Sequence, residues 1–150
     1  MRGHSGDTQM KIAVLMPAGF ADAGEFLADV RALEAAGAEM IGLEGEGPEH
    51  EAILGAMAAV THRVRLRAPS DASADILQKL SRGRVVLGEP AGERWVQVAV
   101  PPDRESWTAA LREHEAGGAT GVIVAWDPRL IDLLRNPDPD DRSDLLMSTG

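Results

Sequence analysis

Short apolar runs recur along the chain, and most are followed by a stretch whose apolar positions are three or four residues apart. Ile12 to Met16 is continuously apolar, as expected of a strand buried on both faces of a parallel sheet. Pro17-Ala18-Gly19 ends it. Asp22 with Glu25 three residues later has the spacing of a capping box. Phe26, Leu27, Val30 and Leu33 then follow at helical intervals up to Gly37, a natural helix stop.

The same alternation continues to the end of the chain. Met40 to Leu43 forms a second strand, and Glu44-Gly45-Glu46-Gly47 a loop. Pro48 suits the first position of a helix carrying Ile53, Leu54, Met57 and Val60. Val64 to Leu66 is a third strand, with a weaker helix from about Ala72 to Leu80, and Arg84 to Leu87 is a fourth. Trp95 to Val100 is a fifth, leading through Pro101-Pro102-Asp103 into a helix with Trp107, Ala110, Leu111 and His114 on one face. Gly121 to Trp126 is a sixth, and Asp127-Pro128 opens a last helix through Leu130, Ile131 and Leu134.

Strands alternating with helices imply parallel βαβ units with right-handed crossovers. The fourth and fifth strands break the rule. Only the segment 88–94 joins them, too short for a crossover helix, so either that pair is antiparallel or a unit has been lost there. A complete eightfold barrel takes about 250 residues, so six units in a chain of 150 describe an α/β fold of truncated barrel type, with about six mainly parallel strands.

Composition narrows the function classes. The chain has no cysteine, which excludes disulfides, thiolate metal sites and cysteine nucleophiles. Fifteen Lys and Arg against 24 Asp and Glu give a net charge of -9, a balance that repels phosphate backbones and argues against a nucleic-acid partner. No apolar run approaches the roughly 20 residues of a membrane span, and the first nine residues lack the apolar middle of a secretion signal. The expected arrangement is a disordered leader over 1–9, one domain over 10–136 and a flexible acidic tail over 137–150, in a cytoplasmic protein.

Three stretches together resemble the luciferase-like monooxygenase family of flavin- and deazaflavin-dependent oxidoreductases. Lys11 to Pro17, with a helix ending Glu34-Ala35-Ala36-Gly37-Ala38, is similar to the family's first unit. Ala58 to Leu66 resembles its turn into the third strand, and Leu80 to Gly88 its entry to the fourth. The likeness covers about residues 10 to 90, with a weaker one from Ala116 to Leu134. It implies a luciferase-like barrel and an oxidoreductase or monooxygenase whose redox chemistry is carried by flavin mononucleotide (FMN) or the deazaflavin F420. The departures are equally specific. Glu44 is followed by Gly45 where the family often has Glu-His, and Arg67-Ala68 stands where a Gly-Thr pair is common. The middle units, which usually hold much of the cofactor phosphate, are missing.

Active groups in such folds sit at the C-terminal ends of the strands. Pro17, Ala18, Ala68, Glu89 and Trp126 are therefore the candidate cofactor contacts. Glu44, alone or paired with Glu89, and His50 near the same rim are the candidate acid–base groups. Each has a plainer reading: solvated loop acids, a polar helix-start residue, or, for Trp126 and Trp95, packing instead of stacking on a flavin ring. No metal-ligand spacing, P-loop, dinucleotide fingerprint or nucleophile elbow occurs. Two functions stand open: a cofactor-dependent oxidoreductase, and a non-catalytic relic without cofactor that binds a small molecule or self-associates as a homodimer. A flavodoxin-type doubly wound domain is the alternative fold that the pattern alone allows.

Overall fold

The computed structural model describes residues 10–45, 47–68 and 74–135; the expected leader and acidic tail, and Pro69 in the third strand–helix loop, lie outside the described residues. In chain order the elements are β1 (Lys11–Met16), α1 (Ala23–Ala36), β2 (Met40–Leu43), α2 (His50–Val60), β3 (Arg65–Ala68), α3 (Ala74–Ser81), β4 (Val85–Leu87), β5 (Trp95–Gln97), α4 (Arg104–Ala116), β6 (Gly121–Ala125) and α5 (Arg129–Arg135). Local chemistry sets several of these limits. The Asp22 carboxylate accepts the Glu25 N–H at 3.0 Å and starts α1, and Asp103 accepts the Ser106 N–H at 2.7 Å and starts α4. Gly37, at φ 109°, turns the chain out of α1. Two expectations shift: α2 opens at His50 and not at Pro48, and β5 ends at Gln97, with the Val98 N–H making one more bond to Ile123 before the chain heads for its two prolines.

All six strands are parallel, in the order β4-β3-β2-β1-β6-β5. An antiparallel β4–β5 pair, one of the two readings of the short connector, is thus corrected. The two strands point the same way and lie at opposite edges of the sheet. The strand formed first in sequence is central, pairing on one side with β2 and on the other with β6.

The connector between the edges dictates the shape of the sheet. Laid flat, six strands place their outer members about 24 Å apart. The chain must also return from the C-terminal end of β4 to the N-terminal end of β5. Its span from Leu87 to Trp95 reaches at most about 29 Å fully extended. It is not extended: Gly88 and Gly92 are left-handed at φ 68° and 78°, and the Glu93 N–H closes a turn onto the Pro90 carbonyl. The sheet is therefore curled, and its edges approach one another.

The convex face carries the main core. Ile12, Val14 and Met16 of β1, with Ile41, Leu66, Val122 and Val124, pack against residues of all five helices, among them Val30, Leu54, Leu77, Trp107 and Leu130. Helices on one face only distinguish this sheet from a doubly wound one, which is covered on both. The concave face has its own smaller cluster, Ala13, Met40, Trp95 and Ile123, with Leu15 and Val86 against it.

A polar knot ties the helices to the N-terminal ends of β3 and β4. Glu34, buried near the end of α1, takes the backbone N–H groups of His62, Arg63 and Val64 on its carboxylate. Beside it, the Arg84 guanidinium donates to the carbonyls of Ala58, Thr61, Val64 and Ser81 and to the Thr61 hydroxyl. These bonds satisfy the chain ends leaving α2 and α3, which would otherwise be buried without partners. At the sheet edge, the Gln78 carboxamide bonds both the N–H and the carbonyl of Val85, at 3.4 and 3.2 Å, filling the place of a neighbouring strand.

Burial pushes the Glu34 carboxyl up, but the three N–H donors and Arg63 outweigh it and hold the group below the usual carboxylate range. The unfolded chain therefore binds the extra proton first, so this contribution is complete above the ordinary carboxylate pKa and is lost as pH falls toward the lowered native value. Glu34→Gln, measured by urea unfolding, is expected to cost about 2 kcal/mol at pH 7 and much less at low pH.

Candidate functional site

Because every strand points the same way, their C-terminal ends share one rim, and the candidate residues all fall on it. They do not converge. Pro17 and Trp126 meet in an open pocket of about 170 Å³, whose wall also includes Met16, Phe20 and Phe26. Phe20 and Phe26 stack with ring centroids 4.3 Å apart. Asp22, Glu25 and Asp29 line the acidic side. Trp126 is fixed by its backbone N–H bond to Leu15.

Ala18 follows Pro17 but does not line this pocket. Glu44 is exposed, with its backbone N–H bonded to the Met16 carbonyl, and Glu89 is exposed in the connector. Ala68 is buried and offers its carbonyl to the Gly88 N–H. His50 is buried at the first turn of α2, its backbone N–H on the Gly47 carbonyl. Neither Glu44 nor His50 lines the Pro17–Trp126 pocket. Trp95 and Trp126, considered together as stacking candidates, lie at opposite ends of the sheet: Trp95 opens β5, is buried, and gives its indole N–H to Glu93 at 2.9 Å. They cannot flank one ring.

A second concave region lies inside the curl. The pairing registers place Ala13, Met40, Arg65, Gln97 and Ile123 in one row of side chains, and Leu15, Gly42, Arg67, Val86 and Ala125 in the next row toward the C-terminal rim. The lower row is closed at its centre, with Gln97 exposed at the β5 end. Ala13, Met40 and Ile123 are buried, and Trp95 below them lies so close over Gly121 that a β-carbon there would fall 2.5 Å from the indole. The upper row opens to solvent, with Ala125 exposed and Leu15, Arg67 and Val86 half-buried.

An ion pair crosses this interior. Arg65 of β3 grips Glu93, just ahead of β5, through both terminal nitrogens at 3.1 and 3.2 Å, and Glu39 approaches its Nε at 3.7 Å. Four strand steps separate β3 from β5, so the pair closes the cup from wall to wall. The hydrogen bonds from Arg65 hold the Glu93 carboxyl below its usual range, against an opposing push from burial, with the Trp95 indole adding to the effect. At the rim, Arg129 holds Asp127 below its usual range in the same way.

None of Arg65, Arg67 and Glu93 is among the candidate site residues that the sequence singles out. A signal for them existed. β3 alternates Arg-Leu-Arg-Ala, a period-two pattern with one polar face, where the other strands carry at most one polar residue, at an end. Among the described residues no group of three His, Asp or Glu side chains is placed to hold a metal ion, and no helix is long and apolar enough to cross a membrane. Comparison with protein-family models, with curated proteins and with solved structures finds no match.

Glu93→Gln removes the charge that Arg65 holds and is expected to destabilise the fold by about 1 to 3 kcal/mol at neutral pH. Since the native carboxyl is lowered, the penalty is present above the ordinary carboxylate pKa and shrinks as pH falls through it. Thermal melts of both proteins at pH 7 and pH 4 check this.

Proposed function

We propose that this chain is a six-strand reduction of a luciferase-like barrel, working in the cytoplasm as a small-molecule-binding, self-associating module and not as a flavin- or F420-dependent oxidoreductase. The observation that carries the reading is the strand order. Strands one to four are consecutive neighbours, five and six are neighbours, and the last pairs with the first. This is the order of a closed (β/α) ring interrupted once, between β4 and β5, where the family's middle units would stand. One-sided helices and a curled sheet agree with it.

Two further points favour binding over redox catalysis. The candidate acid–base residues Glu44 and His50 are apart from the Pro17–Trp126 pocket. That pocket, at about 170 Å³, is smaller than the roughly 300 to 1,000 Å³ typical of cofactor and drug sites. The lack of cysteine suits a reducing compartment.

Self-association follows from the interruption. Trp95 and Gln97 turn their backbone groups away from β6, and Leu87, 40% exposed, does the same at the other edge. The β5 edge, and the part of the β4 edge beyond Val85 that Gln78 leaves uncovered, invite pairing, and a symmetric dimer is the usual way to cover them. Light scattering of the purified protein is expected to give the mass of a dimer, and titration with FMN and with F420 to leave the cofactor spectra unchanged. A monomer that perturbs either cofactor spectrum saturably would return the reading to an oxidoreductase.

A further inference from the structure

The charge inside the curl runs opposite to that of the molecule as a whole. A chain of net charge -9 presents Lys11, Arg65 and Arg67 on its concave face, and among the described residues the carboxylates bonded to these cations are Glu39 and Glu93. Both are bound to Arg65, and Lys11 acts on Glu93 through space. Among the described residues, the cation of this face that stands outside this cluster is Arg67, one row nearer the rim. It pairs across the ladder with Gly42 on one side and Val86 on the other. Without a side chain at Gly42, Leu15 and the Arg67 stem close over β2, each within 3.3 Å of where a β-carbon would stand. By register Arg67 shares its row with an apolar collar of Leu15, Val86 and Ala125, above the buried floor of Ala13, Met40 and Ile123.

We infer that the open cup binds a small monoanionic carboxylate with an apolar body, and that Arg67 receives the carboxylate. A guanidinium presents parallel donors matched to the two oxygens of a carboxylate, and the collar and floor offer apolar surface to the rest of the molecule. The exposed acids Glu44 and Glu89 follow β2 and β4 at the same rim. They oppose a polyanion such as a nucleotide and leave a single carboxylate as the anion least repelled. The inference rests on the charge and register of the concave face and does not depend on the proposed ancestry or on dimerisation.

The test is a titration of the full chain, followed by amide chemical shifts, with sodium butyrate, sodium hexanoate, butylammonium chloride and inorganic phosphate. Hexanoate is expected to bind more tightly than butyrate, to shift Leu15, Val86 and Ala125, and to outcompete phosphate; butylammonium is expected not to bind. Arg67→Gln should weaken hexanoate by about tenfold while keeping the thermal melt of the parent, and Arg67→Lys should recover part of the loss. Absence of saturable binding, equal affinity in Arg67→Gln, tighter binding of phosphate, or shifts confined to the Pro17–Trp126 pocket would each overturn the assignment. Because the wild-type shift map locates the ligand by itself, the result stands even if a variant fails to fold.

Discussion

A connector too short for its task shapes this molecule. Segment 88–94 has to join the two outermost strands of a six-stranded sheet, and it spends part of its length on two left-handed glycine turns. The sheet can satisfy it only by curling. Once curled, it gains a concave interior too narrow for helices, so all five helices collect on the convex side. The interior must then be filled from the strands themselves, with small residues at Ala13 and Gly121, larger ones at Met40 and Trp95, and a half-buried ion pair. Arg65 and Glu93 hold the geometry that the connector imposes, and the Glu93 carboxylate also satisfies the Trp95 indole. A flat sheet would separate Arg65 from the other two.

The ends of the strands do different work. At the N-terminal end, Glu34 and Arg84 gather the backbone donors and acceptors that α2 and α3 leave open. Two stretches, Ala58 to Leu66 and Leu80 to Gly88, supply much of this knot: Thr61, the three N–H donors, Ser81 and Arg84 all lie in them. What those stretches encode is a way of turning from helix into strand. The candidate residues Pro17, Trp126, Glu44 and Glu89 stand at the opposite rim, so the knot serves construction.

The elements were readable because their cues are local. Apolar runs such as Ile12 to Met16, the caps at Asp22 and Asp103, and the stop at Gly37 each act within a few residues, and the strands and helices fall close to where they were expected. Which strand pairs with which was harder, since nothing local reveals that β1 lies beside β6. The short connector is visible in the sequence, but its consequence, curling, follows only from the strand order. The site was less legible still. Pro17 and Trp126 come together because β1 and β6 are neighbours, whereas Glu44, His50, Ala68 and Glu89 share only a rim. Arg65 and Glu93 are 28 residues apart, and only the curl brings them into contact.

The central position of β1 also bears on how the chain is made. During synthesis β1 emerges first, and β2, β3 and β4 can be added to it in the order they appear. Its other edge pairs from Lys11 to Leu15 with Gly121 to Ala125, so it stays open until nearly all of the described chain has left the ribosome. Until then an almost wholly apolar strand at the heart of the fold presents an unpaired ladder to its surroundings. Long-range pairing of this kind slows folding and lengthens exposure to misassembly. The nascent protein is thus most vulnerable at the strand that is most protected once folding is complete.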